Sequence, residues 1–310
     1  MTKRAMLFPG QGAQHPGMGR DIVEQVPAAR RVMDIAREVL GFDLAALCFD
    51  GPDTELRRTD VCQPAILATS AAVVEALKAT KGLAPSQFAA TAGLSLGEYT
   101  ALWFCGSLAL EDALRLVRRR GQAMQDASTR QPSGMLSLVG ATREQAHELV
   151  RVASDSGVIV AANYLGPGGI ALAGDTAAIA AAEAKAKDCG VRRCVRLEVA
   201  GAFHSPLMAP ATAALRDALA NVTIRPPTIP FATNVTGDFV SDPERIREHL
   251  AAQVTSSVLW EDTMLRFTAA GIDGFVEPAP GKVLTGLMRK LAPEAARVNV
   301  ESMADVAAYA

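Results

Sequence analysis

Gln87-Phe88-Ala89-Ala90-Thr91-Ala92 is a short apolar run that stops at Gly93-Leu94-Ser95-Leu96-Gly97, and helical spacing follows from Glu98. The run predicts a strand, the glycines a tight turn, and the remainder a helix. Upstream the same order recurs. Residues 5–8 are apolar, residues 9–19 form a loop rich in Gly, Pro and Gln, and residues 21–40 alternate apolar and charged side chains at helical spacing. Residues 60–79, rich in alanine and mostly apolar, predict a buried helix. Short apolar strands alternating with longer helices specify an α/β fold, a mainly parallel sheet covered by helices on both faces.

Residues 134–199 read differently. They parse as strand 135–139, helix 142–153, strand 158–163, strand 170–173, helix 176–187 and strand 191–197. That β-α-β-β-α-β order is the ferredoxin-like split unit, a layered module that can be inserted into a larger fold. The expected division is a core of 1–128 and 200–310 interrupted by a small subdomain at 129–199. Gly166-Pro167-Gly168-Gly169 is where the two central strands reverse, since Gly and Pro accept turn dihedrals that other residues resist. No Gly-x-Gly-x-x-Gly opens a helix, so a phosphate cradle is not indicated. Beyond residue 200 the α/β pattern resumes with a strand after 226–232, a helix at 243–253 and a final strand at 274–277.

With 310 residues, 49% of them hydrophobic, the chain can bury a large core, which excludes disorder as its main state. Thirty-one Lys and Arg against 33 Asp and Glu leave no global basic field, so a nucleic-acid partner is not expected. The apolar run at 5–8 is too brief for a signal segment or a membrane span. The expectation is a soluble, cytoplasmic monomer with no membrane association. Cys48, Cys62, Cys105, Cys189 and Cys194 are odd in number and lack Cys-x-x-Cys spacing, which argues against a disulfide framework or a zinc site and for buried, reduced thiols.

Gly93-Leu94-Ser95-Leu96-Gly97 also carries the chemistry. A serine at a strand-to-helix turn needs small neighbours, and the turn lifts its hydroxyl clear of the sheet toward a helix N-terminus that favours developing negative charge. A serine is unreactive at neutral pH unless a base takes its proton, and four histidines are available. His147 and His249 fall in charged helical stretches and read as solvated; His15 lies in the first loop. His204, in Ala202-Phe203-His204-Ser205, sits where the chain leaves the inserted module and is the preferred base. No acid stands out as an orienting third member, so a Ser-His dyad held by a main-chain carbonyl is as consistent as a triad. Arg118 and Arg120 lie on the two margins of an apolar helical stripe running through Leu114, Val117 and Gly121, while Arg119 points away. Either margin could turn a guanidinium inward onto a carboxylate, and periodicity does not choose between them.

Taken together, these pieces resemble the malonyl-CoA:acyl carrier protein transacylases and the acyltransferase domains of polyketide synthases. The ordered landmarks are Phe8-Pro9-Gly10-Gln11-Gly12-Ala13-Gln14, Gln63-Pro64-Ala65, the serine turn with Glu98 and Tyr99, Arg120-Gly121, Met124-Gln125, Asn163, Ala202-Phe203-His204-Ser205, Asn234, Gln253 and Pro280-Gly281-Lys282. The resemblance implies a hydrolase-like core with a ferredoxin-like insertion. It implies Ser95 as nucleophile, His204 as base, main-chain N–H groups of Gln11 and Leu96 as an oxyanion hole, and the Gln253 carbonyl as the group orienting the histidine. It selects Arg120 as the partner of the malonyl carboxylate, with Phe203, Asn163 and Gln253 at the substrate, and Phe203 as a mark of malonyl over methylmalonyl use.

Malonyl-CoA and acyl carrier protein are the implied partners in ping-pong transfer, with CoA entering as substrate and no metal or other cofactor. An exposed basic group of Arg118, Arg119, Lys282, Arg289 and Lys290 is the expected carrier surface. Two positions depart from the family pattern: Leu94 where histidine is usual before the serine, and Ala279 where glycine is usual. The alternatives are an acyl-thioester hydrolase and a non-catalytic module that binds CoA or carrier protein.

Overall fold

The computed structural model describes residues 2–310. Its strands, in chain order, are β1 (Arg4–Phe8), β2 (Ala90–Gly93), β3 (Ser133–Ala141), β4 (Ile159–Gly166), β5 (Gly168–Asp175), β6 (Arg193–Arg196), β7 (Phe231–Ala232), β8 (Phe239–Val240), β9 (Val258–Leu259), β10 (Gly274–Pro278) and β11 (Ala296–Val300). They form two sheets in a mixed α/β fold, one of six strands ordered β11-β10-β1-β2-β7-β8 and one of five ordered β6-β3-β5-β4-β9.

In the larger sheet every pairing from β11 to β7 is parallel and only β8 runs antiparallel. β2 is buried along its whole length and β1 from its second residue, which is why both read as continuous apolar runs rather than as alternation. The alanine-rich stretch is a helix, Thr59–Lys81. It is long and apolar enough to cross a membrane, but 94% of its most apolar window is buried inside this fold. Pro64 lies within it, so the Asp60 carbonyl loses its usual N–H partner; Arg118 Nη1 donates to that oxygen at 2.6 Å instead. The helix Leu110–Arg130 crosses against it at Gly121, where a Cβ would come within 2.6 Å of the Thr59 carbonyl oxygen. This close crossing sets Arg120 beside Gln63.

In the smaller sheet the predicted β-α-β-β-α-β order is found, with helices Arg143–Ala153 and Thr176–Lys185 between the strands. Leu136, Leu138, Ile170 and Leu172 face these helices in a core of their own. Met135, Ser137, Asn163 and Ala171 occupy the opposite face, toward the larger sheet. Chain reversal occurs at Gly166–Gly168, as expected.

Several boundaries differ from expectation. The stretch 21–40 is two helices, Arg20–Gln25 and Pro27–Leu40, because Pro27 opens a helix and holds Val26 in an extended conformation. The strand expected at 87–92 begins only at Ala90, after a 3₁₀ turn at Pro85–Gln87. The strand at 274–277 is not the last, since β11 follows and closes the sheet edge. The helix Ala209–Ala220 and the two-residue strand β9, which pairs parallel with β4, were not anticipated. Cys48, Cys62 and Cys105 are buried, whereas Cys189 and Cys194 are half-exposed; all five are free thiols.

Candidate active site

β2 ends at Gly93 and the helix Gly97–Phe104 begins two residues after Ser95, so the serine occupies the turn between them. The two glycines are sterically required. A Cβ on Gly93 would fall 1.9 Å from the Gly97 carbonyl carbon, and one on Gly97 would fall 2.3 Å from the Phe8 oxygen. Among the described residues, Ser95 (φ 53°) and His204 (φ 60°) are the only non-glycine residues with positive φ. Such conformations cost about 1–3 kcal/mol each and persist only where neighbours enforce them. At Ser95 the enforcing neighbour is Asn234, whose Oδ1 accepts the Ser95 N–H at 2.6 Å and whose Nδ2 donates to the Gly93 oxygen at 2.8 Å.

Ser95 Oγ lies 2.8 Å from His204 Nε2, joining positions 109 residues apart. Nδ1 of the same ring is 2.8 Å from the main-chain oxygen of Gln253. A carbonyl can only accept, so Nδ1 carries the proton and Nε2 presents its lone pair to the serine hydroxyl. Burial, and next the nearby Arg120 charge, push the imidazole down to about 4. At neutral pH it is an uncharged base.

The structure resolves the choice that periodicity left open. Arg118 is tied to Asp60 through its carboxylate (2.7 Å) and carbonyl, and Arg119 is exposed. Arg120 is 1% exposed, and its Nη2 donates to Ser95 Oγ at 2.9 Å and to Gln253 Oε1 at 2.8 Å, while Nη1 donates to Gln63 Oε1 at 2.8 Å. Its Nε is buried without a partner. Burial lowers the guanidinium from its usual range.

These groups open onto a cleft of about 280 Å³ between the two sheets. Gln11, Phe203 and Asn163 all line it, as does the apolar Leu94 that precedes the serine. The main-chain N–H groups of Gln11 and Leu96 donate no hydrogen bond among the described residues. Ala279 is accommodated, its N–H donating to the Val300 oxygen at 2.9 Å. The remaining histidines lie elsewhere: His15 pairs with Glu301 at 2.8 Å, His147 with the Tyr164 hydroxyl at 2.7 Å, and His249 is half-buried rather than solvated. Of the five basic residues grouped from sequence, Lys282, Arg289 and Lys290 are exposed at or on the helix Val283–Leu291, whose first residue lines the cleft. Arg118 is withdrawn from that group by Asp60.

Residues 5–306 match the acyl transferase domain family. The chain belongs to this family. The malonyl CoA-acyl carrier protein transacylase of Bacillus subtilis is 39% identical over 94% of this chain and 91% of its own length. An acyl carrier protein S-malonyltransferase structure from Vibrio cholerae superposes with a TM-score of 0.93 at 36% identity, covering all of both chains. A structure of a type II polyketide synthase acyl carrier protein in complex with its malonyl-transacylase matches with a TM-score of 0.93 at 32% identity, over 99% of this chain and 98% of that one.

As an acyltransferase the chain carries three further site residues to which sequence reasoning gave no role: Gln63, Glu98 and Asn234. Each is fully buried. The available signal was a polar side chain within a mostly apolar helical stretch, Gln63 in the alanine-rich helix and Glu98 in Gly97–Phe104.

Proposed function

We propose that this acyltransferase moves a malonyl group from malonyl-CoA to the phosphopantetheine thiol of an acyl carrier protein, through a malonyl ester on Ser95. The observation that carries this reading is Arg120, a buried guanidinium 2.9 Å from Ser95 Oγ. An acyl group ending in a carboxylate supplies the charge that this cation lacks, whereas a neutral acyl group leaves it unpaired at a cost on the order of several kcal/mol.

In the first half-reaction Ser95 Oγ attacks the thioester carbonyl as its proton passes to His204 Nε2. The carbonyl electron pair moves onto oxygen, which the N–H groups of Gln11 and Leu96 receive. Collapse breaks the C–S bond, and the departing CoA sulfur takes the proton from Nε2. The second half-reaction reverses these steps with the carrier thiol: its proton goes to Nε2, its sulfur attacks the ester, and Ser95 Oγ recovers the proton. Phe203 and Asn163 shape the cleft around the malonyl group. The Gln253 carbonyl holds the imidazole tautomer throughout.

In this reading residues 1–128 and 200–310 form a hydrolase-like core and 129–199 a ferredoxin-like subdomain, with the acyl group held between them. The exposed Lys282, Arg289 and Lys290 receive the acidic carrier protein at the cleft mouth. The protein works as a cytoplasmic monomer without metal or redox cofactor.

The test is mass spectrometry of the protein mixed with malonyl-CoA. An adduct on Ser95 that carrier protein discharges, and that Ser95→Ala abolishes, is the expected result. Discharge by water at the same rate without carrier protein would make the chain a hydrolase instead. An unmodified serine overturns the reading.

A further inference from the structure

Glu98 is fully buried in the first turn of the helix behind Ser95. A carboxyl in such a place is costly unless its oxygens are satisfied. Here each has a donor. One oxygen accepts the main-chain N–H of Asn234, and the other accepts the side-chain amide of Gln253. Followed outward, the two contacts reach Ser95 and Arg120. Asn234 grips the serine turn at both ends, through the Ser95 N–H and the Gly93 oxygen. The Gln253 amide also donates to the Ser95 carbonyl at 3.0 Å, and its Oε1 accepts from Arg120 Nη2.

We propose that Glu98 is a positioning residue for the transfer reaction, one oxygen fixing the Asn234 support behind Ser95 and the other fixing the Gln253 amide that aims Arg120. The assignment rests on the malonyl-transfer reading above.

The chemistry of the contacts explains why a carboxyl is needed. Both neighbours present N–H donors, so position 98 must accept twice, which only the ionised carboxylate does. Gln in its place offers one acceptor and one donor, which leaves one N–H facing another. If the Gln253 amide turns over to relieve that clash, its own NH₂ then faces Arg120 Nη2. The misfit therefore travels to the group that recognises the substrate carboxylate, whereas loss of packing alone would not distinguish substrates.

The experiment measures Ser95 acylation by malonyl-CoA and by acetyl-CoA at pH 8, where Glu98 is ionised, in the wild-type protein and in Glu98→Gln. The expected result is a slower reaction with both thioesters and, in addition, at least a tenfold fall in the malonyl-to-acetyl ratio of kcat/KM. Gln253→Leu provides the same reading from the other side of the contact if Glu98→Gln does not fold. It cuts the link to Arg120 while retaining the main-chain oxygen that holds His204, and its ratio should fall likewise. An unchanged ratio in whichever variant folds overturns the proposal, because a merely structural carboxyl would slow both thioesters alike. If the wild-type serine takes no malonyl group at all, it is the transfer reading that fails.

Discussion

The His204 ring is held by an atom that no side-chain substitution removes: its Nδ1 lies 2.8 Å from the main-chain oxygen of Gln253, 49 positions away. The orienting third group is thus a carbonyl, not an acid. A carbonyl fixes the tautomer as well as a carboxylate does, but it adds no negative charge to support the imidazolium that forms during transfer. The protein therefore depends on the imidazole itself. His204→Ala should lower the rate of Ser95 acylation by about 10³-fold, within the range for loss of a general base, while leaving the fold intact. Quench-flow measurement of the malonyl ester checks this, and a loss under tenfold would remove His204 from the role.

In the proposed mechanism Arg120 acts on both substrate and base. Its charge is the second cause, after burial, of the lowered His204 value. Replacing it by methionine removes a cation that disfavours the imidazolium, so the histidine should rise toward its usual 6.5 and the acid limb of kcat/KM should move to higher pH. The same variant should transfer malonyl poorly and acetyl better than the wild type. Equal losses for both thioesters, with an unmoved acid limb, would make the arginine a packing element only.

The serine turn was legible because its requirement is local: Gly93 and Gly97 flank Ser95 in sequence, and the steric conflict they avoid lies within five residues and the adjoining β1. The β-α-β-β-α-β segment was legible for a similar reason, since its alternation and its turn at 166–169 are short-range signals. What escaped was long-range. β9 has two residues and exists because β4 offers it a partner. Glu98 and Asn234 meet across 136 positions, and no spacing rule links them. Arg118 and Arg120 are equivalent on a helical wheel; Asp60 on the neighbouring helix, freed by Pro64, captures one and leaves the other for the cleft.

Alanine at either glycine of the turn tests how rigid this arrangement is. The 1.9 Å and 2.3 Å approaches involve main-chain atoms that cannot swing aside. Gly93→Ala and Gly97→Ala should each destabilise the fold by about 3 kcal/mol or more, beyond the usual range for a single added methyl, because the strand and helix must separate. Urea unfolding midpoints give the value. A variant that keeps both wild-type stability and wild-type acylation would show that the turn is looser than these contacts require.

Two buried titratable groups at the site, His204 and Glu98, pull stability in opposite directions with pH, which lets each be read separately. His204 is held at about 4 when folded and returns to about 6.5 when unfolded. Its contribution is present above 6.5 and is lost as pH falls through 4, because only the unfolded chain binds the proton between those values. Glu98 is pushed up by burial to about 7 from 4.5, so its contribution is present below 4.5 and is lost as pH rises through 7. Across pH 4.5–6.5 the two slopes oppose each other in the wild type. His204→Ala should leave the Glu98 slope exposed, so that variant gains stability relative to wild type as pH falls. Glu98→Gln should expose the other slope and lose relative stability over the same interval. Urea midpoints for the three proteins at pH 4.5, 5.5, 6.5 and 7.5 measure both differences. Parallel curves for all three would mean that neither group titrates differently in the folded chain, and the account of burial lowering the base and raising the carboxyl would have to be abandoned.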